Sequence, residues 1–126
     1  MNLSNFDDKE RDLAGIIRES DPAYCRSTET IVAGAGALKP NTVMGKISAS
    51  GKWKAYTPGA ADGSQNAAGI LLYETDATAE TTAVLSVRDT VFALDMLNWG
   101  AAVTTQAHKD TAVAALKALP GPIVCR

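Results

Sequence analysis

TVMGKISASGKWKAYT, residues 42–57, decides the fold. A short run carrying Val43, Met44 and Ile47 reads as a strand. Ala49-Ser50-Gly51 is a turn, and residues 52–57 return as the hairpin partner. On a strand, Lys52 and Lys54 share one solvated face, which accounts for the densest basic cluster in the chain.

Working outward, Lys39-Pro40-Asn41 is a turn signal, preceded by the small, flexible run Ala33-Gly34-Ala35-Gly36-Ala37. Before that, residues 27–32 alternate in the β manner with Thr28, Thr30 and Val32 on one side. Downstream, Pro58-Gly59 and Asp62-Gly63 punctuate a loop. Residues 68–73 have the continuous apolar character of a buried strand, a polar loop covers 74–81, and 83–87 form another strand. Residues 90–97 are expected to form a short helix ended by Asn98-Trp99-Gly100. The clearest helix spans 105–119: Thr104 or Thr105 caps it, Val113, Leu116 and Leu119 keep helical spacing, and Pro120-Gly121 stops it. Residues 123–125 make a last short strand. Trp53 and Trp99 are assigned to packing in the core or at a subunit interface.

The first 26 residues differ in character, being polar and charge-mixed, with Asp21-Pro22 as a break. A helical turn over 7–18 is expected from the spacing of Leu13, Ile16 and Ile17, but three apolar residues make a thin stripe. The segment reads as an arm that orders on binding. The expected organisation is an arm over residues 1–32 and a β-rich body over 33–126. The fold class is α+β: a small β-rich domain of hairpins and a short mixed sheet, one main C-terminal alanine-rich helix, and an extended N-terminal arm.

With 126 residues the chain suffices for one domain with its own core, and with only 6% aromatic residues that core must be mostly Ala, Val, Leu and Ile. A formal charge of -2 with scattered basic residues argues against nucleic acid as a partner. No apolar stretch approaches membrane-spanning length, so no membrane partner is expected. Asp7, Asp8, Lys9, Glu10, Arg11 and Asp12 occupy the place of a signal peptide's apolar run, which points to synthesis in a reducing cytoplasm. Cys25 and Cys125 are then free thiols by default.

The sequence offers little catalytic chemistry. His108 is the single histidine, and beside Lys109 and Asp110 it reads as a solvated helix residue. A phosphate loop ending at Gly45-Lys46 would need glycine where Pro40 stands and Ser or Thr where Ile47 stands. Gly34-Ala35-Gly36 has Lys39 where a dinucleotide fingerprint needs its third glycine. These glycines read as turn and hinge residues. Neither Glu74 with Asp76 nor Asp7 with Asp8 sits in an apolar setting that would split their pKa values. No catalytic residue, metal or cofactor is expected.

Several segments in order carry a resemblance. Thr42-Val43-Met44-Gly45-Lys46-Ile47, Ser50-Gly51-Lys52, Tyr56, Ala61-Asp62-Gly63 and Ala67-Ala68-Gly69-Ile70-Leu71 resemble the head decoration protein D family of tailed phages. Ser20-Asp21-Pro22-Ala23 is similar to the passage from arm to body in that family, and Leu97-Asn98-Trp99 to the step before its helix. An alanine-rich helix, a turn and a strand close the pattern at 116–124, so the resemblance covers about residues 20–125. It implies a homotrimer on local three-fold positions of an expanded capsid, stiffening the shell against DNA pressure from the virion surface. It also implies an arm that adds a strand to the major capsid protein. The alternating Thr/Val segment suits such strand addition, in which main-chain bonds give affinity and alternate side chains specificity. Asp21, Pro22, Tyr24, Arg26, Thr28, Thr30 and Val32 are the expected capsid-binding residues. The alternatives are another virion module, tail- or fibre-associated, or a small ligand-binding domain.

Overall fold

The computed structural model describes residues 13–126. The first part of the helical turn expected over 7–18 lies outside these residues. Its described part is a single 3-10 turn, Leu13–Gly15, followed by strand β1, Ile16–Glu19. The correction has a local cause. Ile16 and Ile17 are β-branched, which disfavours a helix, and Ile16 packs against the core while Ile17 stays 52% exposed.

A four-residue helix, Pro22–Cys25, then leads into β2, Arg26–Ile31. The further strands are β3, Gly36–Leu38; β4, Val43–Lys46; β5, Trp53–Ala55; β6, Ala67–Leu71; β7, Thr75–Ala77; β8, Thr81–Ser86; β9, Thr90–Phe92; and β10, Ile123–Cys125. The long helix, Gln106–Lys117, precedes β10. Five strands close into a barrel in the order β2-β5-β4-β6-β8, β1-β9-β10 form a three-stranded sheet, and β3 pairs with β7. The fold is therefore α+β and β-rich with one main helix, as the sequence pattern predicts.

The hairpin of residues 42–57 is present, with Met44 opposite Ala55 and Lys46 opposite Trp53. Its connection is closed by bonds from Ile47 N to Lys52 O (2.8 Å) and from Gly51 N to Ile47 O (2.8 Å). Gly45 corrects the expectation that it is a turn or hinge residue. It lies inside β4, and a β-carbon there would sit 2.5 Å from the Ser64 carbonyl oxygen, so glycine is needed for close approach of two backbones.

β4 and β6 explain their own apolar runs. Val43, Ile70 and Leu72 face one core with Phe92, Leu116 and Ile123, between barrel, sheet and long helix. Met44 and Leu71 face a second core with Ile31, Leu38, Trp53, Ala77 and Leu85. Both faces of these strands are covered, so their sequence shows apolar continuity where a half-solvated strand would alternate. The long helix is capped by Thr105, whose hydroxyl accepts from His108 N at 3.2 Å. It buries only Ala112 and Leu116, packing on β6 and β10.

The helix expected over 90–97 is instead β9 plus a 3-10 turn, Leu94–Met96. Thr90 and Phe92 are buried with Val91 between them less so, and β9 is central in its sheet, antiparallel to β1 and parallel to β10. Two ladders outweigh any local helical preference. The polar loop expected over 74–81 likewise contains β7, held by β3 through Leu38↔Thr75 and Gly36↔Ala77. Cys25 is a buried free thiol and Cys125 a partly buried one.

Candidate functional site

Among the described residues there is no group of three or more His, Cys, Asp or Glu placed to hold a metal ion. Nor is any helix long and apolar enough to cross a membrane. His108 lies at the partly exposed start of the long helix, where its Nδ1 accepts from Thr104 N at 3.4 Å. Asp62 and Asp76 spend their oxygens on local turns: each accepts from the backbone N–H and hydroxyl two residues ahead, in Ser64 and Thr78. Those bonds hold Asp62 well below the usual carboxylate range, at about 2, with Lys54 adding a smaller pull. These contacts stabilise turns.

The seven residues expected to bind a partner fall into two groups. Asp21, Pro22 and Tyr24 build the corner before β2. The Asp21 carboxylate accepts from Ala23 N at 3.1 Å and caps the short helix, Pro22 supplies its first position, and Tyr24 is 55% exposed. The Arg88 guanidinium lies 4.9 Å over the Tyr24 ring and donates to the Tyr24 carbonyl, so this aromatic is braced in its exposed position. Arg26, Thr28, Thr30 and Val32 follow along β2 and just beyond it. Arg26 makes a forked pair with Glu19, Nε to Oε2 at 3.0 Å and Nη2 to Oε1 at 2.9 Å. These bonds raise its pKa above the usual guanidinium value and tie the end of β1 to the start of β2. Thr28 is exposed, Thr30 is half-buried, and Val32 N donates to Trp53 O at 3.0 Å.

On one edge β2 is paired over its whole length with β8, from Arg26↔Ser86 to Ile31↔Thr81. On the other it meets β5 only at Ile31↔Trp53. Residues 16–19 and 26–31 are thus woven into the sheets of the body, while residues 20–24 between them are exposed, Tyr24 among them, and Thr28 is exposed on β2. β1 is paired with β9 alone among the described residues, so it forms an edge of its sheet.

A second surface was not signalled by the sequence. The Gly15 carbonyl accepts from Ala93 N at 2.7 Å, and Leu94 N donates to Arg126 O at 3.1 Å. The start of the described chain and its last residue therefore flank Ala93 and Leu94. Here Leu94 is 45% and Met96 39% exposed, two of the four large apolar side chains with that exposure among the described residues. Beside them a groove of about 520 Å³ runs between this segment and the long helix, walled by Leu94, Leu97, Trp99, Val113 and Ala114. Trp99 is held edge-on to Tyr56, ring centroids 6.5 Å apart at 67°. The groove needs the fold to bring residues 94–99 against 106–117, so no local spacing announces it. The exposed Leu94-Asp95-Met96 triplet is its one sequence trace.

The family model for bacteriophage lambda head decoration protein D matches residues 6–122, nearly the whole chain. The chain belongs to the phage lambda head decoration protein D family. The head decoration protein family is structural rather than enzymatic. Membership supports a capsid-decoration role, with the phage capsid as partner and the virion as the site of action. A search of the curated proteins returned no match.

Proposed function

We propose that this protein cements a phage head. It binds as a homotrimer at local three-fold positions of the expanded shell and stabilises the shell against the pressure of packaged DNA. The observation that carries the reading is the head decoration family match over residues 6–122. In this reading the N-terminal arm adds a strand to the major capsid protein. Two features of the fold support it: residues 1–12 lead into β1, an edge strand, and Tyr24 and Thr28 lie exposed on the continuation of the same segment.

The roles of the seven residues divide accordingly. Asp21 and Pro22 fix the corner, Arg26 locks β1 to β2 through Glu19, and Val32 anchors the end of β2 on the hairpin. Tyr24, Thr28 and Thr30 offer the contact surface. Three arms per trimer offset the entropy of ordering each one through avidity. The protein is made in the host cytoplasm, where its thiols stay reduced, and nucleic acid and membranes take no part.

The test is a pair of measurements on the purified full chain. Sedimentation equilibrium should give a trimer, and co-sedimentation should show saturable binding to expanded shells but none to unexpanded ones. Deleting residues 1–12 should weaken shell binding and leave the trimer intact. A monomer at all concentrations, or undiminished binding after deletion, contradicts the reading.

A further inference from the structure

We propose that Asp62-Gly63 is a latent modification site, a step prone to aspartate isomerisation that the folded turn holds shut and that opening of its loop releases. The proposal does not depend on the capsid reading.

Asp62-Gly63 is the chain's single Asp-Gly step, and the chain has no Asn-Gly. At such a step the glycine nitrogen attacks the aspartate Cγ, unhindered by a β-carbon on the attacking residue. A C–N bond forms, the carboxyl hydroxyl leaves as water with the amide proton, and a five-membered succinimide results. Water then opens the ring. Breaking the new N–Cγ bond restores aspartate, and breaking the original peptide bond leaves isoaspartate.

The fold requires both residues in spite of this chemistry. Gly63 has φ +109, and a β-carbon there would sit 2.5 Å from the Lys46 carbonyl oxygen and 2.5 Å from Ser48 Oγ, so only glycine fits. Asp62 closes the turn: its Oδ1 accepts from Ser64 N at 3.0 Å and from Ser64 Oγ at 2.6 Å, while Oδ2 faces Lys54 Nζ at 3.3 Å. The same contacts oppose each stage of the reaction. They favour the ionised carboxylate, whereas ring closure expels water only from the neutral acid. Gly63 N donates to Gln65 Oε1 at 2.8 Å, which retains the proton that the attacking nitrogen must lose. Asp62 O accepts from Ser48 N at 2.8 Å, so the peptide plane between the two residues is fixed. The Asp62 side chain is 41% exposed, so water reaches it and the bonds, not burial, supply the protection. Isoaspartate adds a methylene to the main chain. The tight seat of Gly63 against Lys46 and Ser48 has no room for that shift, so a modified loop does not close again.

The experiment incubates the full-length protein at neutral pH and physiological temperature, both folded and in guanidinium chloride. Electron-transfer mass spectrometry of its peptides then measures isoaspartate at each aspartate. Asp76 is the internal control, because it makes the same two bonds to Thr78 but precedes Ala77. Asp62 should isomerise roughly tenfold or more faster in denaturant than in the folded protein, with Asp76 slow in both. Ser64→Ala and Gln65→Ala, each confirmed as folded by thermal melting, should raise the folded-state rate at Asp62 by about fivefold, the worth of one such bond. A folded-state rate equal to that in denaturant overturns the proposal, as does a folded-state rate untouched by both substitutions.

Discussion

Replacing Gly45 by alanine should destabilise this protein, against the usual sign of that exchange. In an ordinary strand conformation Gly→Ala stiffens the unfolded chain and stabilises by roughly 0.4–1 kcal/mol. Gly45 has no left-handed backbone to protect. What it has is a neighbour: an added β-carbon would lie 2.5 Å from Ser64 O, 2.8 Å from Ser64 Cα and 2.9 Å from Ser64 C. Relief requires the Ser64 backbone or β4 to retreat, and both are pinned. Ser64 O accepts from Thr57 N at 2.9 Å, and Asp62 O accepts from Ser48 N at 2.8 Å. Overpacking of this kind costs about 1–3 kcal/mol, and weakening one buried backbone bond adds about 1. Net of the chain-entropy gain, the loss should be roughly 2 kcal/mol, which for a domain of this size lowers Tm by about 8 °C. Scanning calorimetry or circular-dichroism melting of Gly45→Ala beside the wild type gives the answer. An unchanged or raised Tm would refute the close-approach account of β4.

Further outcomes follow from the same contacts. Arg26→Ala strands the Glu19 carboxylate, whose side chain is only 8% exposed, and should cost about 1–3 kcal/mol in urea unfolding; a change under a few tenths would show the pair to be idle. Asp62 has its folded-state pKa depressed to about 2, so its stabilisation is complete above the unfolded value near 4 and is lost as pH falls through about 2. Asp62→Ala should therefore flatten the melting-temperature profile between about pH 4 and 2; an identical profile would remove Asp62 as its source. Burial pushes the Cys125 thiol up to about 11 and Cys25 is fully buried, so a thiol reagent at pH 8 should label the folded protein slowly and both cysteines at once in denaturant. Rapid labelling of the folded protein would contradict that burial.

What the sequence discloses follows the reach of its interactions. The hairpin of residues 42–57 and the helix after Thr105 are legible because turn, alternation and cap lie within a few positions of one another. Residues 68–73 are legible as buried strand because both faces of β6 meet a core. β3 and β7 are not, since three residues each carry too little pattern and their pairing spans nearly forty positions. Residues 90–97 mislead for the same reason: Thr90, Val91 and Phe92 extend only because β1 and β10 arrive on either side. Gly45 looks like a hinge until Ser64 is placed against it. Of the seven expected site residues, Asp21 caps the short helix, Pro22 opens it, Arg26 pairs with Glu19 and Val32 N bonds to Trp53 O, while Tyr24 and Thr28 are exposed and Thr30 is half-buried. The groove at Leu94 and Trp99 was invisible because its walls come from segments that only the fold joins.

The most direct test of capsid decoration is a cryo-electron-microscopy reconstruction of expanded shells saturated with the full-length protein. The account predicts trimeric density on the local three-fold positions, with residues 1–12 resolved as a strand against the major capsid protein. Bare three-fold positions at saturating protein, or density bound without that strand, would contradict it.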